Sequence, residues 1–375
     1  MKDRIMVILF LGFIFIIMVV TMVMPEREFS SRENRYLNQS PKITMEKVLN
    51  GKFEEEYKDY MNDQFLCRDE FLRLSSKARY LIGMRDINGV YIGRDGYLIE
   101  KHDRLDFESE TAWKNIGYLS EFTKSLENKP INYHVIMIPT SSEILIDKLP
   151  AFAEPYGQKA FIDKVYSEVG KEHTVDALLA LSLHADEYIY YKTDHHYTSL
   201  GAYYVYEKWA EQADVTIHDR EDFHVNKVTS EFYGTLDAKT YMAEQGDEIY
   251  LYTLKNQEQY EICYNESENI VTDMYDMEAL EKRDKYSVFL GGNHSILEIR
   301  TKCDNNRKLL VIKDSFAHSF IPFIINDFEQ TDVIDLRYYN KSVKGLIEEE
   351  GYTDVLILYS TSNFATDNCI FKIVR

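Results

Sequence analysis

Apolar and polar positions change their period several times along the chain. From Ile5 to Met24 there is no charged residue. Those 20 residues would rise about 30 Å as a helix, the depth of a bilayer core. Lys2 and Arg4 precede the run, which favours a cytoplasmic N-terminus and an exported remainder. "TMVMPE" offers no small-residue cleavage site, so residues 1–25 are expected to be an uncleaved single-pass anchor rather than a removed signal. No polar face interrupts the run, which argues against a buried core helix.

Residues 26–100 read as a stalk followed by a helical and hairpin region. "FSSRENRYLNQSPKI" is polar. Val48, Leu49, Phe53, Tyr57, Tyr60 and Met61 then recur at helical spacing, as do Phe71, Leu72, Ser75 and Leu81 more loosely. Two helices are expected there. "NGVYIGRDGYLIEK" alternates around an Asp95-Gly96 pair, which predicts a hairpin.

Residues 101–375 read as an α/β domain. "TAWKNIGYLSEFTKSLE", "GQKAFIDKVYSEVGK" and "SLGAYYVYEKWAEQA" are amphipathic helices, and "INYHVIMI" is a buried strand. Around 220–300 the helical period fades; "DEIYLYTL", "YEICYN" and "YSVFLGG" predict short strands in a β-rich insertion. Afterwards "KLLVIKDSFAHSFIPFIIND", "TDVIDLRYYNKSVKGLIEEEGY" and "TDVLILYSTSNF" each start with an apolar strand. Alternation of strands and helices implies a parallel sheet flanked by helices. The loops after "LLVI", "DVID" and "VLILY" then converge beyond the carboxyl ends of their strands, where such sheets place active loops.

Composition adds limits. At 45% hydrophobic and 28% charged residues, the balance is globular. A net charge of -20 repels phosphate backbones and argues against nucleic acid as a partner. Cys67, Cys263, Cys303 and Cys369 include no CxxC pair, which disfavours a zinc cage. They are either disulfide partners outside the cytoplasm or scattered thiols.

The chemistry centres on "YKTDHHYTSLGAYYVYEKW", residues 191–209, which sets an acid beside two of only 10 histidines. A serine hydroxyl is a poor nucleophile until a base within hydrogen-bond reach activates it and an acid orients that base. Ser315 follows the strand "LLVIKD" and opens a helix, whose free amides can stabilise an oxyanion. His196 is the candidate base and Asp194 its orienter. A two-residue spacing puts both on one side of an extended strand end or turn. Arg337 and Tyr338 follow "DVIDL", and Asn363 follows "DVLILYSTS", at the neighbouring strand ends.

"TDHHYTSLGAYYVYEKW" resembles the signature of DHHW-motif proteins, relatives of the AlgX/AlgJ-like, SGNH-hydrolase-like proteins of polysaccharide O-acetylation. "VIKDSFAHSF" resembles the family's serine block. "SRENRYL", "GKFEEEYKDYMNDQFLCRDEF" and "NGVYIGRDGYLI" resemble its N-terminal region. The resemblance implies a flavodoxin-like SGNH sheet, Ser315 as nucleophile, His196 as base and Asp194 as its partner. It also implies oxyanion donors from the Ser315 amide and from Asn363. The activity implied is acetyl transfer to an exported or cell-surface polysaccharide, with a membrane-bound O-acyltransferase as donor partner. No GxGxxG or GxxxxGKS/T loop appears, and no cofactor is expected. Two positions depart from the pattern. Tyr197 replaces a tryptophan, and Lys313 stands where serine blocks of this type carry glycine.

Each candidate has a plainer alternative. Ser315 is either nucleophile or helix cap. Asp194 and His196 either catalyse or anchor the loop before the next helix. His195 either contacts substrate or oxyanion directly or supports its neighbours. His318 shares the face of Ser315, as a rival base, a substrate contact or core packing. Arg337 either holds an acyl or sugar group or forms a salt bridge. "GGN" at 291–293 is a tight turn or an oxyanion element. Adjacent side chains at 194–196 point apart in an extended segment, so no metal site is expected. A carbohydrate acetylesterase and a non-catalytic glycan-binding scaffold remain as other functions.

Overall fold

The computed structural model describes residues 2–257 and 259–375 and divides into two compact units. One comprises residues 1–87 with 238–242, the other residues 88–237 with 243–375.

In the first unit, helix α1 (Lys2–Val23) is long and apolar enough to cross a membrane. Three helices follow, α2 (Met45–Leu49), α3 (Lys52–Gln64) and α4 (Arg68–Leu81). Two were expected. Gly51, with φ 78°, breaks the first stretch by taking a left-handed conformation that continues no helix. Asp63 is buried and accepts from the Arg35 guanidinium at 2.9 and 2.5 Å, and from Asn38 at 2.9 and 2.8 Å. The Arg35 contact holds its carboxyl well below the usual range, although burial opposes this.

The second unit opens with the expected hairpin, strands Val90–Ile92 and Leu98–Glu100. Asp95 and Gly96 both take positive φ, 55° and 81°, the combination a tight hairpin turn requires. Helices α5 (Glu110–Leu126), α6 (Lys159–Val169), α7 (Ser199–Ala213) and α8 (Val343–Glu350) flank a seven-stranded sheet. Its strands are β1 (Asn132–Ile138), β2 (Tyr260–Tyr264), β3 (Ile270–Val271), β4 (Ile296–Thr301), β5 (Lys308–Lys313), β6 (Gln330–Ile334) and β7 (Asp354–Ser360). The order is β3-β2-β4-β6-β5-β7-β1.

β6, β5, β7 and β1 run parallel, with Val311 opposite Val333 and Leu356. Both faces of these strands are covered, which is why they read as unbroken apolar runs. Leu309 and Val311 point into a core shared with Trp209 and Tyr203 of α7. Leu310 and Ile312 point into the opposite core, shared with Phe122 of α5, Val165 of α6 and Ile347 of α8.

The 220–300 region differs from expectation. β2, β3 and β4 do not form a separate insertion; they extend the main sheet in antiparallel fashion, with β4 beside β6. A hairpin of Phe223–Phe232 and Asp247–Leu254 stands apart from it. "YSVFLGG" is not a strand. Residues Lys285–Val288 form a 3-10 turn; Tyr286, Val288 and Phe289 all enter one apolar cluster with Tyr191, Phe232 and Ile249. An alternating strand would have faced them to both sides, so continuous burial there reflects a compact turn. The helix expected from Phe316 is likewise a 3-10 turn, Ser315–Ser319, followed by the short helix Ile321–Ile324.

Candidate functional site: a serine, a histidine and an aspartate at the strand ends

The segment carrying the acid and the histidines is a loop held from both sides. Buried Asp247 accepts from the Lys192 and Thr193 amides, both at 2.7 Å, and from the Thr193 and Tyr188 hydroxyls at 2.6 and 2.5 Å. Thr198 ends the loop and caps α7, its hydroxyl accepting from the Gly201 amide at 3.3 Å. Between these anchors the chain bends, and Asp194 Oδ1 accepts from the His196 backbone N–H at 3.1 Å. This local side-chain turn brings the two residues together across their two-residue spacing.

Asp194 Oδ1 also accepts from His196 Nδ1 at 2.6 Å. Its other oxygen accepts from the Thr235 amide at 2.8 Å and the Thr235 hydroxyl at 3.0 Å. Burial pushes this carboxyl up, but the neighbouring His195 and His196 and the bonds it accepts prevail, and it lies well below the ordinary range. An ionised carboxylate only accepts, so Nδ1 of His196 carries the proton and Nε2 is free to accept. Ser315 Oγ lies 2.8 Å from that Nε2. Asp194 and His196 are 2% and 5% exposed, and Ser315 is half-buried. Segments 119 residues apart in sequence therefore meet in one hydrogen-bond chain.

Ser315 is set by Asp314, which caps its turn. Asp314 Oδ1 accepts from the Phe316 amide at 2.9 Å. Oδ2 accepts from the Ser360 amide, the Ser360 hydroxyl and the Asn363 amide group at 2.9, 2.8 and 2.8 Å. The serine turn is thus tied to the end of the adjacent strand β7.

The remaining sequence candidates fall around this chain. Asn363 turns its amide nitrogen to Asp314, so that group tethers two strand ends. Arg337 makes the salt bridge: Nε and Nη2 donate to the two Asp335 oxygens at 2.9 and 2.6 Å, and Nη2 also reaches Asn293 Oδ1 at 3.2 Å. Tyr338 is exposed, with the Arg337 guanidinium 5.5 Å from its ring centre. His195 Nδ1 lies 2.8 Å from the Thr235 hydroxyl. His318 is buried, and its Nε2 accepts from Lys313 Nζ at 2.8 Å rather than facing Ser315 as a base. Burial and the nearby Lys313 charge push its imidazole well below the usual range, so it stays neutral. Lys313 is itself buried, paired with Asp335 at 3.1 Å. "GGN" is a turn, with φ 66° and 92° at Gly291 and Gly292.

Asp194, His195 and His196 can each offer a ligand atom within 4.8 Å of one another. Both Asp194 oxygens, both His196 nitrogens and His195 Nδ1 are engaged inside the protein. Among the described residues no disulfide joins the four cysteines.

Several supports escaped sequence reading. Gly234 is one: a Cβ there would lie 2.3 Å from Asp194 Cβ, so only glycine lets the 232–235 segment reach the acid. Tyr286 is another. Its ring lies face to face with the His196 imidazole at 3.9 Å and 10°, and its hydroxyl donates to the Ser315 carbonyl at 3.0 Å. Neither Gly234, Thr235, Asp247, Tyr286 nor Asp314 carries a local pattern that marks it as a support.

The fold is a mixed α/β sheet with its polar cluster at the carboxyl ends of the parallel strands. Within that class the chain belongs to the DHHW protein family, whose model matches residues 90–334. It is similar to the crystal structure of a DHHW family protein from Eubacterium siraeum, at 26% identity and TM-score 0.65, over 76% of this chain and 95% of that one. It is also similar to Bacillus cereus PatB1 solved with a sulfonyl adduct, at 18% identity and TM-score 0.62, over 75% and 98%; that likeness speaks to fold. The O-acetyltransferase domain of Pseudomonas putida AlgJ is more remote, at 12% identity and TM-score 0.47 over 75% and 93%, too remote to carry function. A comparison with curated proteins finds no match.

Proposed function

We propose that this protein is a membrane-anchored, extracytoplasmic serine acyltransferase of SGNH type that O-acetylates a cell-surface or exported polysaccharide. The observation that carries the reading is the unbroken Ser315–His196–Asp194 chain, 2.8 and 2.6 Å long at its two links.

In this reading Ser315 Oγ attacks the acetyl carbonyl while His196 Nε2 takes its proton. Asp194, held ionised, stabilises the imidazolium and keeps the ring oriented. The Ser315 amide, first in its helical turn and without an intrahelical partner, faces the developing oxyanion. The tetrahedral adduct collapses, His196 returns the proton to the leaving oxygen, and an acetyl ester remains on Ser315. A sugar hydroxyl then attacks that ester, with His196 again as base, and Ser315 is released. In this reading Arg337 and exposed Tyr338, one strand over, border the acceptor. The acetyl donor is a membrane-bound O-acyltransferase partner, reached through the anchor at α1. No cofactor enters this scheme.

Ser315→Ala tests the reading. At normal protein level it is expected to abolish acetylation of surface polysaccharide, a loss on the order of 10⁴-fold or more for a triad nucleophile. Unchanged acetyl content ends the proposal. Release of acetate to water without transfer to glycan would make the enzyme an esterase built on the same residues.

A further inference from the structure

Tyr286 stands outside the serine–histidine–aspartate chain, yet it contacts both ends of the reacting pair. Its ring lies at 3.9 Å and 10° from the His196 imidazole. Its hydroxyl donates to the Ser315 carbonyl at 3.0 Å and sits 3.4 Å from Ser319 Oγ. The ring is buried in a cluster with Tyr191, Phe232, Ile249 and Phe289, so it has no freedom to swing away. Burial also pushes the phenol far up, which keeps it a donor.

The other groups facing His196 are known. Asp194 and His195 come from its own loop, the latter with its ring at 3.9 Å. Ser315 and Phe316 come from the serine turn, the Phe316 ring at 4.9 Å. His318, on the same turn, is buried and neutral. Of these, only Tyr286 lies parallel against the imidazole face. An aromatic face carries negative charge density, so it attracts a cation placed over it far more than a neutral ring.

We propose that Tyr286 is a positioning residue that clamps the serine turn through its hydroxyl and, through its ring, stabilises the imidazolium formed when His196 accepts the Ser315 proton. The proposal rests on reading His196 as the base. Stabilisation of this kind exists only once the proton has moved, so it lowers the barrier rather than tightening substrate binding. The two roles separate by substitution. Tyr286→Phe keeps the ring and removes the clamp; Tyr286→Leu removes both.

The test is a histidine-labelled full chain in detergent, titrated by NMR in a Ser315→Ala background, with the His196 resonance assigned through His196→Gln. Tyr286→Leu is expected to move the His196 titration to lower pH, and Tyr286→Phe, which keeps the ring, to leave it in place. In the Ser315-containing enzyme acting on an activated acetyl ester, Tyr286→Phe is expected to reduce kcat about tenfold with KM unchanged. An unmoved His196 resonance in Tyr286→Leu, with the other histidine signals intact, overturns the ring's role. If Tyr286→Leu does not fold, a move of the His196 titration to lower pH in Tyr286→Phe, which keeps the ring, overturns it instead. Full kcat in Tyr286→Phe overturns the clamp. The titration needs no turnover, so it fails independently of the acyl-transfer reading, which fails if Ser315→Ala or His196→Gln leaves activity intact.

Discussion

Asp194, in the loop before α7, accepts two bonds from His196 and two from Thr235. Asp314, at the end of β5, accepts one from Phe316, two from Ser360 and one from Asn363. Both are buried, at 2% and 1% exposure. The first gives one of its four bonds to an imidazole and three to chain segments; the second gives all four to holding chain segments. Burial of a carboxylate beside a serine or a histidine therefore says little about its role. What separates the two is whether any partner is a group that exchanges protons.

The widest contrast is expected from the aspartates themselves. Asp194→Asn should preserve the loop and its Thr235 contacts while offering the wrong partner to His196 Nδ1, and lower kcat about 10⁴-fold. Asp314→Ala should strand several buried donors, destabilising the fold by about 4 kcal/mol and displacing Ser315 enough to cost about 10²-fold in rate. Thermal unfolding and ester turnover measured on both would erase the distinction if they moved together.

Gly234→Ala comes next. The added methyl must push aside either Asp194 or the backbone, at about 1 to 3 kcal/mol, and activity should fall with it. Wild-type stability and rate in that variant would mean the segment has slack that the geometry does not suggest.

Asn363→Ala sharpens the comparison on the serine side. As a tether, Asn363 should matter modestly, about 1 kcal/mol in stability and under tenfold in kcat. A loss near 10²-fold or more with normal stability would instead mark it as an oxyanion donor.

The last contrast is one of pH and overall stability. His134, on β1, is buried, and burial with the nearby His173 charge pulls its imidazole down to about 4. Its folded pKa lies below the unfolded value of about 6.5. The unfolded chain therefore takes up the proton first, and stability is lost as pH falls from about 6.5 to 4, by about 3 kcal/mol in all. Asp194, also depressed, adds a loss only below about pH 4. Denaturant melts of His134→Gln should be flatter between pH 6.5 and 4 than wild type, while the Asp194 limb below remains.

How much of this was legible follows the range of each contact. The parallel strands were readable because double burial forces apolar runs. The α7 start was readable because its helical apolar period begins at Ser199, directly after the acid–histidine segment. The Asp194–His196 pair was readable because its bond spans two positions. The 285–288 turn was misread because uniform burial in a short segment looks the same whether the chain is extended or coiled. Arg337 offered two readings, and the choice depended on where Asp335 pointed.

Sequence by itself determined the apolar run of α1, the helices and central strands of the α/β unit, and the residue types available for proton transfer. Periodicity and short-range spacing carry that information. Tertiary structure alone decided that Ser315 meets His196 across 119 residues, that Gly234 and Thr235 close on Asp194, and that Asn363 serves Asp314. Those are contacts between segments whose separation along the chain bears no relation to their distance in space, so no window of residues encodes them.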